Sequence, residues 1–357
     1  MTWSAPLVPA DPGVSADPGP LTAGLEIILW VQTHLEALTP LLQAATVLGD
    51  EEFAVLVVPL LLWSVSPALG LRVGALLLIS AGLNTALKLM TVTPRPAWVS
   101  GEVTALVAEG SYGTPSGHAQ NAAAVWGRLA VAVRHRGIRA VLVALILVIA
   151  VSRWWVGAHF PIDTVVGLLV GGALLLLAVR VVEPRLTPWV TRASASAQAL
   201  VVVGTSAALV ALPLLTRRAP WAGEPPEAWV AGAATASPES TVIDPTALNA
   251  AMVPAGALLG VGLGLVLLQR SGGFSAAGPW WQRALRYPVG VTGVALLYLG
   301  GEPLVPDGDA PWALAAQYAQ FAVVGLWIGW LAPVVFRALR LARGAPEAVP
   351  PPSTRGL

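Results

Sequence analysis

One lysine, two arginines, two histidines and an aspartate stand in three short stretches of an otherwise apolar chain. These are KLMTVTPRP (residues 88–96), YGTPSGH (112–118) and SRWWVGAHFPID (152–163). Lys88, Arg95 and Arg153 offer fixed positive charge, and the planar arginine forks match tetrahedral phosphate oxygens better than a carboxylate would use them. In the second stretch the sequence predicts that Thr114 caps a helix and Pro115 takes its first position. The amides of Ser116, Gly117 and His118 would then face an anion at a helix N-terminus, and Gly117 would let the backbone approach it closely. In the third, Pro161 is suited to open a helix, which places Asp163 in the first turn, four residues after His159. A carboxylate there holds one imidazole nitrogen and leaves the other free to attack phosphorus. His118 is a second titrating group, suited to protonate a departing oxygen, while the three cations stabilise charge on the equatorial oxygens.

Each of these residues alone has a plainer reading. A lysine at a helix end commonly snorkels to the interface, and an isolated first-turn aspartate serves the helix dipole. Here, however, the twenty basic residues are all arginine except Lys88, and ionisable groups embedded in membrane helices face polar cavities and mark functional sites. His34 and His135 stand apart from the three stretches and read as ordinary polar residues. The closely spaced glycines of GVGLGLVLL from residue 260, and Gly167 with Gly171, read as helix-packing contacts, since a dinucleotide fingerprint needs a strand, turn and helix.

The elements that must position these groups are spanning helices. The chain has 357 residues, of which 56% are hydrophobic and 11% charged, and its apolar runs approach the length that crosses a bilayer. An all-α, polytopic integral membrane protein is expected, with a six-helix catalytic core over about 25–48, 53–69, 71–92, 115–133, 138–156 and 161–182. About four further helices follow near 198–216, 249–269, 287–304 and 313–336. Residues 1–20 and 346–357 read as disordered tails, 21–185 as the core and 186–345 as an accessory region. The stretch 217–247 reads as an extended polar loop. The first helix is the most amphipathic, through Glu26, Gln32, His34 and Glu36. With no cysteine, thiol chemistry and disulfides are excluded.

If the helices alternate in direction, the connections carrying Arg72, then Arg134, Arg136 and Arg139, then Arg180, Arg185 and Arg192, then Arg270, Arg283 and Arg286, then Arg337, Arg340 and Arg343 share one side. The positive-inside rule makes that side cytoplasmic. The N-terminus is then cytoplasmic and the three chemistry-bearing stretches lie on the outer face of a plasma or inner membrane. Trp154 and Trp155 are expected as membrane-surface anchors, and Arg128 as a cytoplasmic anchor. The last four helices show no sign of buried charge.

Taken together, Lys88 with Arg95-Pro96, Pro115-Ser116-Gly117-His118, and Ser152-Arg153 with His159 and Asp163 resemble the three-part signature of the type 2 phosphatidic acid phosphatase (lipid phosphate phosphatase) superfamily. GDEEF (49–53) and the extra C-terminal helices are similar to the sphingosine-1-phosphate phosphatase branch, and the undecaprenyl-diphosphatase branch is the other the chain resembles. The resemblance covers residues 25–182. It implies that Lys88, Arg95 and Arg153 hold the phosphate with Ser116 and Gly117. It further implies that His159 becomes phosphorylated, that Asp163 orients it and that His118 protonates the leaving group. It implies no metal and no cofactor. The expected partners are a phosphorylated lipid as substrate and membrane lipids, with no nucleic acid. A phosphotransferase using the same histidine, or a transporter that only binds a phospholipid, are the rival readings.

Overall fold

A computed structural model describes residues 20–236, 243–306 and 308–344, and among them the chain is built of helices without a named strand. The expected tails, 1–20 and 346–357, lie outside the described residues except for Pro20, which opens α1. The order is α1 (Pro20–His34), α2 (Thr39–Gly49), α3 (Glu51–Leu60, continued by a wide turn Leu61–Val65), α4 (Pro67–Thr91), α5 (Pro96–Val99), α6 (Gly117–Ala132), α7 (Arg136–Trp155), α8 (Pro161–Leu177, continued through Ala178–Val182), α9 (Glu183–Val190), α10 (Ala195–Arg217), α11 (Glu227–Ala236), α12 (Asn249–Arg270), α13 (Trp280–Gly301), α14 (Pro311–Leu326, continued through Trp327–Leu331) and α15 (Ala332–Ala338). Among the described residues, six continuous helical stretches are long and apolar enough to cross a membrane: Pro67–Val99, Arg136–Trp155, Pro161–Val190, Ala195–Arg217, Asn249–Arg270 and Pro311–Ala338. The chain is an all-α multi-pass membrane protein.

The run 25–48 departs from expectation. It is not one spanning helix but two, α1 and α2, broken by a tight turn at Glu36–Leu38. Both pack near the site end of the bundle. Gly24 meets Phe160 and Pro161, and Val31 and Leu42 join Trp155, Val156 and Ala158 in one cluster. Gln32 donates to the carbonyls of Thr104 (2.8 Å) and Trp155 (2.9 Å). Fifteen and eleven residues reach only about 22 and 16 Å at 1.5 Å per residue, short of the hydrocarbon thickness. The expected start of a spanning helix on the face opposite the site is therefore corrected, because α1 begins at the site end.

Small residues let the core helices approach. A Cβ on Gly167 would lie 2.6 Å from the Ser116 carbonyl oxygen, and one on Gly171 would lie 2.2 Å from that of Gln120, so α8 rides directly on α6. Gly260 and Gly264 do the same for α12 against Ala322 and Gly329, as their packing reading expected. Between α4 and α6 runs a buried amide and hydroxyl ladder. Asn84 donates to Gln120 (2.9 Å), Gln120 to the Ser80 carbonyl (2.7 Å), and Ser80 to Asn121 (2.7 Å). With its polar groups paired, such a ladder fixes the register of two apolar helices whose hydrophobic surface alone would let them slide.

Three other expectations are corrected. Residues 217–247 are not wholly extended: α11 forms there and lies against α5, where Gly232 approaches the Trp98 carbonyl so closely that an added Cβ would come within 2.0 Å. Arg128 is no interfacial anchor, since it is buried and grips Glu183 with two hydrogen bonds of 2.7 and 2.9 Å. Trp155 is buried; Trp154, half-buried, donates to Thr164 at 3.0 Å.

The C-terminal helices also hold a buried charge that the sequence did not suggest. Arg286 has no exposed surface and donates to the carbonyls of Leu341, Trp63, Ala276 and Ala277 at 2.7–3.1 Å, with its guanidinium 5.6 Å from the Phe274 ring centre. One side chain thus ties α13 to α3 and to the chain beyond α15. Backbone carbonyl oxygens, those of Ala276, Ala277 and Leu341 outside any helix, act as its counter-charge.

Candidate active site

The site begins with how α4 ends. Val92 closes the helix in the left-handed region at φ 47°, its amide bonded to the Lys88 carbonyl at 3.1 Å. That conformation is costly for a β-branched residue. It turns the chain at once, so that Lys88 in the last helical turn and Arg95 at the start of α5 address the same loop. Lys88 Nζ donates to Ser111 Oγ at 2.8 Å, and Arg95 donates to the Ser111 carbonyl (2.6 Å) and to Ser111 Oγ (2.9 Å).

The third stretch folds as its spacing indicated. Pro161 opens α8, and Asp163 Oδ2 accepts the Phe160 amide at 2.9 Å, capping the helix. Asp163 Oδ1 accepts the Thr114 hydroxyl in a short hydrogen bond. His159 lies buried between this carboxylate and Arg95. Its Nδ1 stands 3.4 Å from Asp163 Oδ2, and its Nε2 stands 3.3 Å from Arg95 Nη1. A guanidinium can only donate, so Nε2 is the acceptor, and the ring proton sits on Nδ1 facing the carboxylate. Burial, and then the charges of Arg95, Arg153, Lys88 and His118, hold the His159 imidazole well below its ordinary pKa of 6.5, in the neutral form with its Nε2 lone pair turned to Arg95.

Helix α6 opens differently from expectation. Ser116, not Thr114, is its cap: Ser116 Oγ accepts the Ala119 amide and the helix begins at Gly117. The Ser116 amide is taken by the Asp163 carbonyl at 3.0 Å, which locks α6 to the start of α8. The Gly117 and His118 amides remain in the first turn, and Gly117 packs near Asn84, where a Cβ would come to 3.3 Å from Oδ1. His118 Nε2 is 2.6 Å from Asp50 Oδ1, at the corner between α2 and α3.

Arg95 and Arg153, one on each side, share a single carboxylate. Glu109 places Oε1 2.7 Å from Arg153 Nη2 and Oε2 3.1 Å from Arg95 Nη2. Burial alone would raise this carboxyl, but Arg95, Lys88, Arg153 and His118 outweigh it and lower the pKa to about 2. Glu109 is therefore an anion held between the two guanidiniums the sequence assigned to an anion. Nothing in its spacing in the sequence marks it. Asp50 and Thr114 were likewise unrecognised in these roles, because each reveals itself only through a partner distant in the chain.

All eight residues singled out in the sequence thus lie in or beside one junction. Lys88, Arg95, Arg153, His159 and Asp163 are linked through Ser111, Glu109 and one another. Ser116 and Gly117 adjoin them, and His118 faces Asp50. Beside the junction is a cavity bordered by Arg95, Glu109 and Ala158, with Trp98, Val107, Ala233 and Ile243 among its apolar walls. Its roof comes from the segment around α11, and Tyr112 ties that roof down by donating to the Gly223 carbonyl at 2.9 Å.

Residues 69–186 match the PAP2 superfamily. The chain belongs to the PAP2 superfamily. Residues 252–344 match a second family, described as PAP2 superfamily phosphatase, transmembrane extension. No curated protein and no solved structure matches the chain. It is a PAP2 superfamily phosphatase with the membrane extension of that group, and the first matched stretch contains all eight residues discussed above. Asp50 precedes both matched stretches, and α11 lies between them.

Proposed function

We propose that this phosphatase hydrolyses a phosphate monoester or diphosphate carried on a lipid, through a phosphohistidine at His159, on the extracytoplasmic face of the membrane. The observation that carries this reading is the unequal treatment of the two His159 nitrogens: Nδ1–H faces Asp163, while Nε2 keeps its lone pair toward the cations. Nε2 attacks phosphorus and the bond to the leaving oxygen breaks. His118 gives that oxygen a proton. Water then attacks the phosphohistidine, His118 takes up its proton, and inorganic phosphate leaves with His159 restored. Lys88, Arg95 and Arg153, with the first-turn amides of α6, stabilise the charge on the oxygens not being exchanged. The substrate phosphate must displace Glu109, whose carboxylate holds the place between the two guanidiniums in the resting state.

The lipid character of the substrate rests on where the site lies, at the ends of spanning helices and beside a cavity with mainly apolar walls, where a headgroup already in the leaflet arrives most directly. The outer-face assignment rests on the arginine-rich connections. Arg72 precedes Lys88 on the same helix by sixteen residues, about 24 Å of rise, and pairs at 3.3 Å with Glu183, which also holds Arg128. That end is the arginine-rich one and so the inner one by the positive-inside rule. The test is phosphate release from purified protein in detergent with phosphatidic acid and a prenyl diphosphate, with His159→Ala alongside. Release by the wild type and none by a folded His159→Ala supports the reading; equal release by both contradicts it. The chemistry assigned to these side chains requires no metal, so release is expected to continue after EDTA treatment, and loss restored by a divalent cation would contradict that part.

A further inference from the structure

The corner between α2 and α3 is docked on α6 with unusual closeness. Trp126 donates to the Leu48 carbonyl at 3.2 Å, and Phe53 and Trp126 stack with ring centres 6.2 Å apart. Ala45 packs with Ala122 and Ile149. At Gly49 an added Cβ would fall 2.7 Å from Ile149 Cγ2 and 3.2 Å from His118 Cδ2, so a side chain there would press on Ile149 and on the His118 ring. The next residue, Asp50, then meets His118 Nε2 at 2.6 Å. This contact joins residues 68 apart in the chain, and both side chains keep partial access to solvent.

We infer that Asp50 is a positioning residue for His118, holding the imidazole by its Nε2–H so that the second nitrogen delivers the proton to the leaving oxygen. This rests on the role proposed above for His118. A carboxylate on one side of the ring fixes its orientation and favours the imidazolium, the form a proton donor needs. Burial most of all, and then Arg153 from α7, disfavour the imidazolium, while Glu109 from the loop before α6 joins Asp50 in favouring it. Substrate phosphate displaces Glu109 under the proposed mechanism, and Asp50 is then the carboxylate that stays with His118.

The experiment compares Asp50→Asn, Asp50→Glu and wild type on two probes, phosphatidic acid in mixed micelles and p-nitrophenyl phosphate. The first has an alkoxide leaving group that needs a proton; the second leaves as a stabilised phenolate that does not. General-acid assistance is worth about a hundredfold to ten-thousandfold. On that scale, Asp50→Asn is expected to lower kcat/KM, which reports formation of the phosphohistidine and not its hydrolysis, at least about tenfold more on phosphatidic acid than on p-nitrophenyl phosphate. The alkaline limb of its rate profile should move to lower pH, because the imidazolium loses its stabilising carboxylate. Asp50→Glu should recover part of the loss, and His118→Ala combined with Asp50→Asn should lose no more than His118→Ala alone. Equal losses on both probes in both variants, or an unmoved alkaline limb, would overturn the inference. Failure of the underlying reading is separately visible, since His159→Ala would then keep full activity whatever Asp50 does.

Discussion

The residues that do chemistry here are those that make least sense as membrane residues, which is why so many could be recognised in the sequence. Lys88, Arg95, Arg153, His118, His159 and Asp163 interrupt apolar surroundings at spacings that helix geometry brings together. Glu109 and Asp50 sit in acidic connections where a carboxylate needs no explanation, and only their meeting with Arg95, Arg153 and His118 gives them a role. Glu109 competes with any anion for the two guanidiniums. Glu109→Gln is therefore expected to tighten inhibition by orthovanadate about tenfold, given that a charge-assisted hydrogen bond contributes about 1.5–3 kcal/mol; weaker inhibition, read as a higher Ki, would show that the carboxylate assists binding instead. At about pKa 2 this group stays ionised throughout the physiological range, so mild acid does not relieve the competition. For His159 the sign runs the other way from an ordinary histidine. A lowered pKa keeps the nucleophile unprotonated into acid, and the acidic limb of kcat/KM should fall below pH 6.5. A limb at or above that value would contradict the neutral, cation-surrounded imidazole.

At the scale of helices, apolar length was a good guide to α4, α7, α8, α10, α12 and α14 and a poor one to the start of the chain. A run such as 25–48 has the same composition whether it crosses the bilayer once or folds back beneath its surface. What decides is the break at Glu36–Leu38 and the demand for Gln32, Val31 and Leu42 to cover the loops around Trp155. Helix α11 was hidden for a related reason: its alanines and glycine carry little hydrophobic signal, and they are small because Gly232 must touch the α5 backbone. The same principle gives a test remote from the chemistry. Gly171→Val forces a branched side chain against the Gln120 carbonyl and should push α8 from α6, carrying Asp163 away from His159. The expected result is a drop in kcat together with a lower melting temperature, of the size of an overpacking cost, about 1–3 kcal/mol or more. Unchanged activity and stability would show that the helices have room the structure does not display.

Across the whole molecule, the C-terminal extension holds on to the core at both ends. Near the site, Tyr112 and α11 join the halves; at the opposite end, Arg286 binds four carbonyl oxygens from α3 and its neighbours. The apolar helices were visible in the sequence, but Arg286, read with Arg270 and Arg283 as part of an arginine-bearing connection, gave no hint of complete burial. Arg286→Met keeps volume and removes five donors. It should lower the melting temperature in detergent by the equivalent of about 3 kcal/mol or more, the range for breaking a buried charged network, while leaving kcat of the folded fraction near wild type. A stable variant would mean the extension is held by apolar packing alone. Every role assigned at the site depends on the covalent intermediate. Brief mixing of the protein with a ³²P-labelled lipid phosphate, followed by denaturation, should leave label that is stable to alkali, lost in acid and recovered on the peptide containing His159. It should be absent from His159→Ala and accumulate in His118→Ala when p-nitrophenyl phosphate is the donor. Phosphate release by the wild type with no label on His159 under any quench condition, or label on another residue, would contradict the account.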